Sequence, residues 1–244
     1  MQVIFSPAKK QEYGAWQEDY VNEPMFKDQV AMLIEYLATL SSNDISSMMS
    51  VSSDLAELNY NRFQKFEPNN WDVSNTGPAL LSFKGDAYKS LDADRLSKTD
   101  LLWADKHVFI LSGLYGLLRP LDPIQYYRLE MKTKLKNYQY KNLYDFWGDT
   151  LKNKLANDVI INLASSEYFK ATRLKNAITI DFKEPYNSGF KTIGLKAKRA
   201  RGLMLRYIIQ NRIQDPQKLQ EFRGGYRFNH EMSNNQNWVF IAEQ

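Results

Sequence analysis

The chain has 244 residues, of which 43% are hydrophobic, 25% charged and 14% aromatic, enough for one well-packed core and too apolar for a disordered polymer. It contains no cysteine and two histidines, which excludes disulfides, thiolate metal sites and thiol redox chemistry. A formal net charge of +4 with a pI of about 9.0 is a moderate basic balance, so the distribution of cations must decide whether a polyanion is bound.

Val3 to Phe5 reads as a strand that ends at Ser6-Pro7-Ala8-Lys9-Lys10. The apolar run there is too short for a signal peptide or a membrane span, and no later segment reaches that length, so a cytoplasmic protein is expected. Met32, Leu33, Tyr36, Leu37 and Leu40 recur at helical spacing and predict an amphipathic helix over Asp28 to Leu40. Ser42 to Asp44 can cap a short helix, Ile45 to Val51, and Ser52 to Asp54 restart a second one through Phe66. A further helix is predicted over Leu96 to Asp105. It precedes a β-branched strand, Val108 to Leu111, that delivers Ser112, Gly113 and Gly116 into a loop stiffened by Pro120 and Pro123.

Gly113 or Gly116 is expected either to hold a backbone conformation costly for other residues or to admit another segment at close range. The side chains around this loop are Tyr115, Arg119, Asp122, Tyr127, Arg128 and Glu130; Arg119 and Asp122 can equally form a plain structural pair. Leu143 to Ala156 reads as a helix. Val159 to Leu163 is a buried strand followed by Ser165, Ser166, Glu167 and Tyr168, and Ala177 to Phe182 and Phe190 to Ile193 are strand-like. Gly194 opens a long helix to about Ile213, and Trp238 to Ile241 can close the sheet. Alternating strands and helices without a linker or repeat predict one α/β domain spanning residues 1–244, a central mixed sheet wrapped by helices.

The long helix carries the clearest functional signal. From Pro185 through Gln214 there is no acid, while Lys191, Lys196, Lys198, Arg199, Arg201, Arg206 and Arg212 lie within the run. Ala200, Leu203, Met204, Tyr207 and Ile208 are placed as its apolar face, with the cations projecting from the rest. Solvated helices usually mix charge signs for i, i+4 pairing, so the run points to phosphate contact; the alternative is that its cations pair with acids on other elements.

Polar residues at strand ends and loops, Lys9, Lys84, Asp86, Arg119, Arg128 and Glu167, are expected to converge with Lys198 on a single cleft. Tyr115, Tyr127 and Tyr168 are available there to stack on bases. Asp86, Glu130 and Glu167 are candidate acid–base groups, and Lys9 and Lys84 candidate nucleophiles, should the cleft be an active site. No nucleotide-binding glycine motif, Ser-His-Asp arrangement or metal-ligand spacing is present, so no cofactor and no metal is expected.

Seven segments in order resemble the peroxide-stress YaaA family: FSPAKK at 5–10, FKGDAY at 83–88, LSGLYGLLRPLD at 111–122, YRLEM at 127–131, LYDFWGD at 143–149, INLASSEYF at 161–169 and AKRARGLMLRYIIQNR at 197–212. The resemblance implies a cytoplasmic protein of the oxidative-stress response that binds and protects DNA, duplex or branched, and lowers free intracellular iron. No reaction comes with it, and no protein partner is inferable. Resemblance to DNA-associated proteins also suggests a helix-hairpin-helix over 42–66, although the glycines of such hairpins are missing and Asp54 would repel a phosphate unless it caps the helix. The alternative is an ordinary helical hairpin that packs Ile45, Met48, Met49, Leu55, Leu58 and Phe63 into the core. The competing reading is an enzyme that acts on a nucleic acid or nucleobase in the same cleft.

Overall fold

Residues with the strongest strand character lie together at the centre of the molecule. In the computed structural model, which describes residues 1–13, 23–72, 74–155 and 159–243, the chain begins with β1 (Gln2–Phe5) and β2 (Lys10–Gln11). Three helices follow, α1 (Lys27–Ala38), α2 (Ser42–Met49) and α3 (Ser53–Lys65). A tight stretch then holds β3 (Gly77–Pro78), α4 (Ala79–Ser82), β4 (Phe83–Lys84) and α5 (Asp86–Leu91). α6 (Lys98–His107) runs into β5 (Val108–Ser112), then β6 (Gly116–Leu118) and β7 (Pro123–Ile124). The second half holds α7 (Leu143–Trp147), α8 (Thr150–Leu155), β8 (Ile160–Asn162), α9 (Ser166–Phe169), β9 (Ile178–Tyr186) and β10 (Gly189–Lys191). It closes with α10 (Gly194–Gln210), β11 (Tyr226–Phe228) and β12 (Asn237–Ala242).

Five strands run parallel in the order β12-β9-β8-β1-β5, with β6 and β11 antiparallel at the two edges and β10 folded back on β9. A parallel sheet is covered on both faces, which explains why β1, β5 and β8 are continuous apolar runs without alternation. Val3, Ile4, Ile110, Leu111 and Ile161 have no exposed surface. Burying a side chain of this size contributes about 1.5–3 kcal/mol, so these strands anchor the molecule. In chain order the parallel strands lie 2-1-3-4-5, so the winding reverses between β1 and β8. Open sheets of this kind bind ligands outside the carboxyl ends of their strands at that reversal.

The mixed α/β sheet wrapped by helices is as the sequence implies, with several differences of detail. The helix expected over Leu143 to Ala156 is two, because Gly148 at φ +48 leaves the helical region between them; Ala156 lies outside the described residues. The long helix stops at Gln210, with Arg212 at φ +52 turning the chain away. Its buried face includes Leu205 and Ile209, whereas Leu203 is exposed, so the stripe is rotated from the one read off the spacing. α2 and α3 form a helical hairpin in which Ser50, at φ +52, takes the left-handed position that a glycine would hold. Ile45, Met48 and Phe63 face the core, while Leu55 and Leu58 do not. Short elements such as β2, β4 and α5 carry too little periodicity to be read from sequence. No helix among the described residues is long and apolar enough to cross a membrane.

Candidate nucleic-acid interface

A cleft of about 600 Å³ opens at the carboxyl ends of β1 and β8, at the reversal of the sheet. Its floor is the turn after β1, where Ser6 Oγ accepts a hydrogen bond from the Ser165 N–H at 2.9 Å and joins the two strand ends. Tyr88 Oη donates to the Ser6 carbonyl at 2.9 Å and fixes the same turn from α5. β2 pairs with β4 in antiparallel register, Lys10 opposite Lys84, so the lysines of the first and second motifs stand side by side.

One wall is built by α5 and α10. These helices touch closely because Gly202 has no side chain: a Cβ there would overlap the Ala87 carbonyl oxygen. The contact brings Lys198 and Arg201 to the cleft beside Lys84 and Asp86. Lys198 is exposed and makes no ion pair or hydrogen bond among the described residues, while the Arg201 Nε is buried without a partner. Burial also lowers the Arg201 pKa, with Asp181 acting against it.

The other wall comes from Glu130, Lys132, Glu167 and Tyr168. Burial pushes the Glu130 carboxyl up, yet Lys9 at 2.9 Å and Arg128 at 3.0 Å outweigh it and hold the group below its ordinary value. Glu130 is therefore a charged tie between the β1 turn and this wall. The Lys132 N–H donates to Glu167 at 3.3 Å, and burial raises the Tyr168 phenol. Around the cleft, the described residues present six cations (Lys9, Lys10, Lys84, Lys132, Lys198 and Arg201) against the carboxylates of Asp86, Glu130 and Glu167.

Of the residues singled out in the sequence, Lys9, Lys84, Asp86, Glu167, Lys198 and Arg201 line this cleft. Arg199 lies beside it on Asp86, at 3.4 Å, and Arg128 faces a small hollow behind Glu130 and Tyr168. Lys196 is turned to Glu184, which also accepts from Tyr226 Oη. Arg206 donates to the carbonyls of Leu91 and Asp92, both at 2.7 Å, and so clamps the end of α5. Arg119 is held by the fully buried Asp122 at 2.8 Å, the plain structural pair that the sequence left open. Two expectations need correction. Arg201 does not project freely from the helix but lies half-buried at the cleft with its Nε enclosed, and Tyr115 and Tyr127 are core residues with no face free for a base. Lys10 and Lys132 were not singled out from sequence as binding residues; their signal was position, Lys10 as the last residue of the first segment and Lys132 directly after the fourth.

The glycine loop lies apart from the cleft. Gly116 has φ +70 and meets the Trp147 ring, and a Cβ on Gly113 would overlap the Leu129 carbonyl. Trp147 Nε1 donates to the Gly113 carbonyl at 3.0 Å, so the third and fifth motifs are one packing unit. Ser112 Oγ serves the same turn, accepting from the N–H groups of Leu114 and Tyr115. Of the two histidines, His107 stacks on Trp103 and bonds its carbonyl through Nδ1, and His230 lies edge-on to Phe228. Among the described residues no group of three or more His, Asp or Glu side chains could hold a metal ion.

Residues 1–232 match the family model described as peroxide stress protein YaaA. Relatives span the whole chain. A UPF0246 protein of Burkholderia cenocepacia is 43% identical, covering 98% of each chain. One from Acaryochloris marina is 43% identical over 98% of this chain and 99% of its own, and one from Legionella pneumophila (strain Lens) 42% over 99% of both.

Proposed function

This chain belongs to the peroxide stress protein YaaA family, and from that premise we propose that it is a cytoplasmic DNA-binding protein of the peroxide-stress response. It holds duplex or branched DNA across the mouth of the cleft, without strong sequence preference. The observation that carries this reading is the excess of six cations over three carboxylates at the reversal of the sheet. Lys198 is free of any described partner, and Lys84 has one exposed acid, Asp94, at 3.4 Å. Phosphate contacts of this kind position a polymer and carry no sequence information. The hairpin α2–α3 is not included in the interface, because Asp54 occupies the first turn of its second helix and would face a phosphate with like charge. An effect on free iron is taken as indirect, since the chain offers no thiolate and no cluster of side chains that could hold a metal ion is found among the described residues.

The test is the salt dependence of DNA affinity. Each neutralised phosphate of duplex DNA contributes about −0.9 to the slope of log K against log salt, so Lys198→Ala and Lys84→Ala should each flatten it by about one unit. The loss should be similar across unrelated sequences. Thermal stability of the Lys198→Ala variant should stay at the parent value, because the side chain is exposed and unpaired. A double variant with unchanged affinity and slope would refute the interface. A second reading, turnover of a nucleic acid or nucleobase in the same cleft, draws on Asp86 and Glu167 beside Lys84 and Lys9. Product formation that is lost in Asp86→Asn or Glu167→Gln, with affinity retained, would favour it.

A further inference from the structure

We infer that the cleft receives one unpaired nucleotide, its phosphate on the Lys84–Lys198–Arg201 wall and its base against Glu130, Glu167 and Tyr168. The inference rests on the DNA-binding reading above and names what enters the site.

Three observations lead there. The first is size. At about 600 Å³ the cleft falls in the range of pockets that enclose a small molecule, about 300–1,000 Å³. A double helix, whose major groove alone is about 12 Å wide, lies across such an opening and cannot enter it. Only a nucleotide turned out of the stack, or one at a gap, mismatch or branch, reaches the floor.

The second is position. The floor is the pair of strand ends, β1 and β8, between which the sheet reverses its winding, and the turn is tied by Ser6 and Ser165. Sheets with this strand order bind small ligands at that point. A surface that only tracked a backbone would have no reason to be concave there.

The third is the mixture of charges. Lys198 has no described partner and the buried Arg201 Nε has an unused donor, so one wall is short of acceptors. The opposite wall offers the Glu167 carboxylate, next to the hydroxyls of Ser165 and Ser166, with the Glu130 carboxylate behind it held by Lys9 and Arg128. A site for phosphate alone would be weakened by those acids. A ligand with a phosphate at one end and N–H donors at the other suits both walls, and a nucleotide whose base carries amino or imino groups is such a ligand.

Two measurements decide it. The first places 2-aminopurine opposite a mismatch in duplex DNA and follows its fluorescence on adding the full-length protein. The second measures whether nucleoside 5′-monophosphates compete for the cleft better than inorganic phosphate. We expect a rise in 2-aminopurine emission on binding, and mononucleotide affinity at least about tenfold weaker in Lys198→Ala, the loss of one charged contact. Glu167→Gln should lower affinity for the mononucleotide while leaving inorganic phosphate unaffected. Salt-dependent duplex binding with silent 2-aminopurine, and mononucleotides no better than phosphate, would overturn the inference and leave the DNA-binding reading standing. Mononucleotide binding without duplex affinity would support the pocket and remove the DNA-binding reading.

Discussion

Gly116 turns β5 into β6 at φ +70, and the Cβ of any other residue there would lie 2.7 Å from the Trp147 ring. Both the backbone and the packing oppose a side chain. Gly116→Val should therefore lower the unfolding free energy by about 2–5 kcal/mol, the sum of a strained left-handed residue and an overpacked contact. Urea denaturation checks this, and a variant as stable as its parent would show that the turn relaxes. Asp122 is a second residue with a measurable signature. Burial pushes its carboxyl up to about 6 from an ordinary 3.8, although Arg119 donates to it from both backbone and side chain. Between those values the folded chain holds a proton that the unfolded chain has released, so through this group stability falls as pH rises through the window. Lowering the pH from 7 to 4 should add on the order of 1–3 kcal/mol from Asp122, and Asp122→Asn should lose that increment. Parallel slopes for the two proteins would assign the titration elsewhere. A costly glycine was legible in the sequence here. The ring that makes it costly was not, because Trp147 reaches the loop only through the fold.

Among the elements, α10 shows how far a charge pattern can be read. The acid-free run marks a helix whose cations have no partner on their own surface. It does not say which of them find acceptors on a neighbouring element. Arg206 finds two backbone carbonyls at the end of α5, and Arg212 bonds Asp100 of α6 at 2.9 Å. Lys198 finds none among the described residues. Arg206→Ala should thus cost about 2–4 kcal/mol of stability, since a hydrogen bond from a charged group is worth about 1.5–3 kcal/mol and neighbouring bonds do not add fully. In the folded variant the salt slope of DNA binding should match the parent, the reverse of Lys198→Ala. Equal stability with a flatter slope would place Arg206 on the polymer instead. The apolar spacing also put Leu203 in the core and left out Leu205. α10 is crowded from two sides, by the sheet and by α5 against Gly202, and the spacing alone cannot show the second.

At the scale of the whole molecule, five of the seven recognised segments meet at one cleft and the other two pack against each other away from it. Hydrophobic periodicity and β-branched runs were sufficient to identify the α/β class, the buried core strands and the long basic helix, because burial on both faces writes itself directly into residue type. Composition was sufficient to exclude thiol chemistry. Strand order was not legible. The reversal between β1 and β8 depends on which pairing buries the most surface, a comparison among contacts distant in sequence. Lys9, Lys84, Asp86, Glu167 and Lys198 were expected to converge from their places at strand ends, in loops and on the basic helix, but the crossovers decided which elements meet: they add Arg201 and leave Arg119 and Arg128 outside the cleft. Likewise, Tyr115 and Tyr127 carry the same chemistry as Tyr168, and only their depth in the core separates them. Residue type determined what chemistry was on hand; tertiary packing decided which groups it left facing solvent in one cleft and which it used up as structural partners.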